Sequence, residues 1–264
     1  MVIPKEEHPL GNKSKLFVYL PSNSFANMKY TKELKRAYDK IKGIPTEFSI
    51  EDFKTVRLVH DYRMAFKPKK VKTLLLAESH VYTTPSERNT RNKLKDILPN
   101  YPDGFVRFVY CLSYGESYTL ESKLIDKNSG TPQFWKLFNT SISGKYKITN
   151  IGSKQRLVNK IRLLMDMMDK GVWLMDASIV GLYNKKLKPN YSDYENILKE
   201  SFKNYVLPII NNENPKRIVV IGKAVYDTIK TIADLVDPGF SKRNIVWIHQ
   251  PNARLKDQNK RRTL

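Results

Sequence analysis

The chain has 264 residues, with 47 Lys and Arg against 26 Asp and Glu, a net charge of +21. That length fits one large domain or a domain with appendages, and a positive surplus of this size attracts polyanions while doing little for folding. The single cysteine, Cys111, excludes disulfides within the chain and any cysteine-held zinc or iron–sulfur centre, and no apolar stretch is long enough to span a bilayer.

A soluble monomer, cytoplasmic or nucleoid-associated (nuclear in a eukaryote), with DNA as its partner, is therefore expected. Its 15 Tyr, 11 Phe and 3 Trp provide flat faces for unstacked bases as well as core. Residues 1–70 read as an N-terminal helical extension. Tyr30 to Ile41 has helical spacing, and Ser49-Ile50-Glu51-Asp52 before an apolar-periodic run reads as a capped helix start.

Residues 71–264 read as an α/β domain. Apolar runs at Val71–Ala77, Phe105–Leu112, Val172–Ala177, Arg217–Ile221 and Asn244–His249 lack clean alternation, as strands of a parallel sheet covered on both faces do. Helical patterns lie between them. Lys154–Asp169 is the clearest; Tyr191–Ile210 is another, with Pro208 as a candidate stop; a third follows Gly222. The alternation predicts a three-layer α/β/α fold with a central, mostly parallel sheet. Ser113–Gly152 is polar and reads as an insertion on the substrate side.

Ligands of open parallel sheets sit beyond the carboxyl ends of the strands. Three strand ends carry suitable chemistry: Glu78-Ser79-His80-Val81-Tyr82, Asp176-Ala177-Ser178, and His249 to Leu255. Here the chain resembles the uracil-DNA glycosylase superfamily over about its last 190 residues. Ala77 to Tyr82 stands where that family has GQDPYH or GExPG. Gly171 to Asp176 is similar to its GVLLLN strand, Arg217 to Ala224 to its strand–Gly–Lys–x–Ala turn, and His249 to Leu255 to its HPSPLS segment. Ala77 replaces the motif's Gly, His80 its Pro, and Ser79 the water-positioning Asp of the GQDPYH branch; the cysteines that hold a cluster in some branches are absent.

The resemblance implies a monofunctional DNA glycosylase with water as nucleophile and neither cofactor nor metal. Apart from Lys223 of the Gly–Lys–x–Ala turn, no Lys stands at a motif position, so cleavage through a Lys nucleophile is not expected. Breaking an N-glycosidic bond builds positive charge on the sugar and negative charge on the base. Glu78 is the carboxylate expected to serve the sugar, and His249 the donor to the departing base. His80 positions water, contacts phosphate, or makes a structural hydrogen bond. Ser79 and Tyr82 belong to the same substrate-side loop. The family reads uracil with Asn where this chain has Asp176. An ionised carboxylate only accepts, so an amino-bearing base such as a modified cytosine is expected in place of uracil.

Tyr110 or Tyr114, with Phe108 behind them, is the expected stacking ring. Arg254 or Leu255 is the expected wedge into the duplex. Lys223, Asn252 and Lys256 join the DNA contacts, with Lys260, Arg261 and Arg262 behind them; a disordered basic tail is the plain alternative. GTPQFWKLF, Gly130 to Phe138, could cap a helix beside the pocket, its rings serving as packing. Two roles stand open: excision of a flipped base, for repair or against modified foreign DNA such as a virus genome, or a catalytically inactive DNA-binding member of the same fold.

Overall fold

In a computed structural model, which describes residues 29–122, 125, 130–184, 188–237 and 239–251, four parallel strands form one sheet. They are β1 (Thr73–Ala77), β2 (Val172–Asp176), β3 (Arg217–Ile221) and β4 (Ile245–Ile248), in the order β2-β1-β3-β4. Ala77 pairs with Asp176, Leu76 with Val220, and Ile221 with Ile248, so all four carboxyl ends lie level. Leu74–Leu76, Trp173–Met175 and Ile218–Ile221 are fully buried. Helices flank the sheet in a three-layer α/β/α arrangement, as the alternation of patterns predicts.

Eight α-helices are found among the described residues: α1 (Thr31–Lys42), α2 (Phe53–Ala65), α3 (Pro85–Arg88), α4 (Pro132–Ile142), α5 (Ser153–Lys170), α6 (Tyr191–Ser201), α7 (Leu207–Glu213) and α8 (Lys223–Val236). In α1 the buried residues Leu34, Ala37 and Ile41 recur at helical spacing on one face. Helix α2 starts at Asp52, whose side chain accepts from Thr55 N at 2.8 Å. Both helices contribute to the same hydrophobic core as the strands. Helix α5 packs on β2 and ends at Gly171, whose φ of 76° suits a left-handed cap. Helix α8 packs on β3 and β4.

Two expectations are corrected. Phe105–Leu112 is not a strand: it folds into successive turns, with Cys111 N donating to Phe108 O at 2.9 Å and Tyr114 N to Cys111 O at 2.8 Å. The Tyr101 hydroxyl donates to Tyr110 O at 2.8 Å and accepts from Leu112 N at 2.7 Å. These bonds satisfy a buried backbone without a sheet neighbour. Pro208 does not stop the helix after α6. A π-helical turn, Phe202–Val206, joins α6 to α7, which runs on to Glu213. Proline removes the N–H that would have bonded Asn204 O, and Arg36 donates to that carbonyl instead, at 3.3 Å.

Candidate functional site

The β1–β2 ladder continues past the strand ends: Ala177 N donates to Ala77 O at 2.7 Å and Ser178 N to Glu78 O at 2.9 Å. Successive side chains of this extended segment part to opposite sides. Ala77 and Ser79 line a small cavity, whereas Glu78 does not; its carboxylate accepts from the Tyr183 hydroxyl and, at 3.0 Å, from that of Tyr194 on α6.

His80 follows, with its side chain sealed from solvent. Its Nε2 lies 2.8 Å from Glu51 Oε2 and its Nδ1 3.5 Å from Asp176 Oδ2. Glu51, just before α2, is fixed by two further donors, Thr83 N at 2.6 Å and Gly181 N at 2.8 Å. Gly181 permits this approach: a Cβ there would stand 2.6 Å from Tyr82 N. Asp176 Oδ2 also takes Arg63 of α2 at 2.6 Å, and that guanidinium lies over the Phe108 ring at 5.2 Å. Trp173 Nε1 donates to Arg63 O at 2.9 Å, tying the end of α2 to β2. The result is a buried row of alternating charge: Glu51, His80, Asp176, Arg63.

Burial opposes charging His80, but attraction from Glu51, reinforced by Asp176, prevails and raises its pKa to about 9. Burial likewise works against an ionised Asp176, but the Arg63 charge and His80 hold its pKa below the usual carboxylate value. His60, one turn earlier on α2, goes the other way. Burial and the charges of Arg63 and Arg57 lower it to about 3, so it is a neutral partner of the Tyr205 hydroxyl, 2.8 Å away.

The cavity at these strand ends measures about 40 Å³, room for roughly three waters. Its walls include Ser79, His80, Asp176, Arg107, Phe108, Thr131 and Phe134. His80 Nδ1 and Thr131 Oγ1 are buried without a hydrogen-bond partner among the described residues. Arg107 is held by Glu87, with Nη2 at 2.5 Å from Oε1.

No family model and no curated protein matches the chain.

The structure brings together part of the expected site. Ser79, His80 and Asp176 line the cavity, as does Phe108. Tyr110 and Tyr114 do not: Tyr110 is fully buried with its hydroxyl accepting from Leu174 N at 2.9 Å, and Tyr114 packs edge-on against Phe105. Tyr82 contacts Ser49 Oγ at 3.3 Å, outside the cavity. His249 follows β4, its ring edge-on to Trp247 at 5.0 Å. With β3 between β1 and β4, the chain at His249 lies about 10 Å to the side of Glu78 and about 14 Å from Asp176. The three strand ends are level, but of Glu78, Asp176 and His249 only Asp176 lines the cavity.

Lys223 opens α8, pairs with Asp227 at 2.6 Å and lies 5.8 Å from the Trp247 ring centre. Asn252, Arg254, Leu255, Lys256, Lys260, Arg261 and Arg262 lie outside the described residues. Among those described, no cluster of His, Cys, Asp and Glu is arranged to hold a metal, and no helix is long and apolar enough to cross a membrane. Five residues of the site escape the strand-end rule: Glu51, Arg63, Arg107, Thr131 and Phe134. A visible signal was an arginine within the apolar-periodic run FKTVRLVHDYRMA.

Proposed function

We propose that the chain binds DNA, takes one extruded amino-bearing base into the cavity beyond β1 and β2, and hydrolyses its N-glycosidic bond. The observation that carries the reading is the polar lining of that cavity. Asp176 accepts, His80 carries its proton up to a pH of about 9, and neither His80 Nδ1, 3.5 Å from Asp176, nor Thr131 Oγ1 makes a hydrogen bond among the described residues. A cytosine-like edge offers an exocyclic amine to the carboxylate and ring acceptors to the donors. The O4 of uracil would meet an acceptor with an acceptor.

Phe108 and Phe134 supply apolar walls for a planar ring. A base is larger than the present cavity, so its entry needs the wall to give. Phe134, half-buried on the first turn of α4, is the wall residue on a surface segment. Glu78, next to the cavity-lining Ser79 in the chain, is the carboxylate this reading assigns to the sugar as positive charge develops. The net charge of +21 supports the polyanion partner.

A second reading, a module that reads a base without releasing it, is favoured by one feature. Both Glu78 oxygens are engaged by tyrosines and the carboxylate lies outside the cavity. Mass spectrometry of free bases released from oligonucleotides carrying uracil, cytosine and modified cytosines separates the readings. Release of an amino-bearing base is expected. Robust uracil release overturns the base assignment, and DNA binding with no release from any substrate selects the binding module.

A further inference from the structure

A second cavity, of about 330 Å³, also borders the first turn of α4. Thr131 and Phe134 line the first cavity, whereas Pro132 and Trp135 line this one. Arg156 and Lys160 stand one turn apart on α5 and both line it. Glu116, completely buried, accepts from Arg156 Nε at 2.6 Å, Arg156 Nη2 at 2.8 Å and Lys160 Nζ at 2.8 Å. Lys160 lies 5.1 Å from the centre of the Trp135 ring.

Two features remain unexplained by packing. Two cations share one carboxylate, leaving one positive charge in the cluster without an anion among the described residues. Trp135, 1 % exposed, has an indole N–H with no partner among the described residues, although buried donors are almost always paired. An indole N–H only donates, as do a guanidinium and an ammonium. A ligand that suits all three groups is therefore an acceptor carrying negative charge.

We infer that this cavity binds a phosphate group through Trp135 Nε1, Arg156 and Lys160. Its source is the backbone of the strand whose base enters the first cavity, a part of the inference that rests on the proposed function. The first turn of α4 borders both cavities, which places them beside each other. Burial lowers the Lys160 pKa despite the pull of Glu116, and a second anion would favour its charged form.

The test uses the full chain and two probes, inorganic phosphate and a single-stranded oligonucleotide. Phosphate is titrated by calorimetry against wild type, Trp135→Phe and Arg156→Gln. Trp135→Phe removes the donor together with the second ring of a buried indole, so its melting temperature is measured alongside; Arg156→Gln, at a side chain 29 % exposed, keeps the test informative should that variant fail to fold. Phosphate should bind wild type, and Trp135→Phe should weaken it on the order of tenfold, as losing a hydrogen bond to a charged group does, measured at a temperature where the variant, which melts lower than wild type, is still folded. The same variant should weaken oligonucleotide binding, whether or not any base is released. Arg156→Gln should also make the salt dependence of oligonucleotide binding shallower by about 0.7. No phosphate binding to wild type, or equal binding to Trp135→Phe, overturns the site. Phosphate binding lost in Trp135→Phe with oligonucleotide affinity intact overturns the backbone as its source.

Discussion

Arg63 and Asp176 form an ion pair sealed from solvent, with Nη2 2.6 Å from Oδ2 and side chains 0 % and 2 % exposed. Their positions are 113 residues apart in the chain, so the pair pins α2 to the end of β2. Removing one partner leaves the other charged in a low-dielectric setting. Asp176→Asn should therefore destabilise the fold by about 3–5 kcal/mol, read as a shift in the urea midpoint. The double variant Arg63→Met/Asp176→Leu should recover much of that loss, because no unpaired charge from this pair remains. A loss below about 1 kcal/mol in Asp176→Asn, within the range of an exposed pair, would contradict the buried pairing.

Stability should also depend on His80. Its folded-state pKa, raised to about 9 from the ordinary 6.5, means that the native chain holds a proton the unfolded chain releases. The contribution is complete below pH 6.5 and is lost as pH rises through about 9, at no more than about 1.4 kcal/mol per pH unit. The groups facing the imidazole are Glu51, Asp176 and the Phe108 ring, with Arg63 beyond Asp176. His80→Gln should flatten this slope between pH 6.5 and 9 in denaturant titrations. A variant as steep as wild type would place the titration elsewhere.

The strands and the helices around them were legible because continuous apolar runs such as Thr73–Ala77 and Ile218–Ile221 report burial on both faces. Phe105–Leu112 carries the same pattern and is equally buried, yet its backbone partners are turn carbonyls and the Tyr101 hydroxyl. A run of apolar residues records that it is inside, not what it pairs with. Likewise, His80 and Asp176 could be found from their place after strands. Arg63 and Glu51 reach them across 113 and 29 residues, a relationship set by tertiary packing. Of the tyrosines expected to stack on a base, Tyr110 instead accepts a core hydrogen bond from Leu174 N and Tyr114 packs against Phe105.

Tyr101 makes a prediction of its own. Its hydroxyl both donates to Tyr110 O and accepts from Leu112 N, in a region without solvent. Tyr101→Phe preserves the ring and its edge-on contacts with Tyr62 and Phe66 but orphans a buried carbonyl and a buried N–H. An unsatisfied buried group costs about 1–3 kcal/mol, so the variant should lose at least that much in urea denaturation. Hydrogen exchange at Leu112 should rise as well. Unchanged stability would mean that the turn segment finds other partners.

Glu78 divides the two functional readings most directly. If it orients water or steadies the sugar cation, Glu78→Gln should reduce base release by about 10²–10⁴-fold, the range of a positioned acid–base group. DNA binding, in either reading, should persist with the same salt dependence, because a carboxylate displaces no counterions from phosphate. Tyr194→Phe removes the donor 3.0 Å from one carboxylate oxygen and should lower release by about tenfold, the effect of a modest hydrogen bond. Tyr183, bonded to the other oxygen, would still hold the carboxylate. If base release is measurable in wild type yet unaffected by Glu78→Gln, the carboxylate is a structural anchor for the two tyrosines. Catalysis would then have to come from groups bordering the cavity itself, with His80 the nearest candidate.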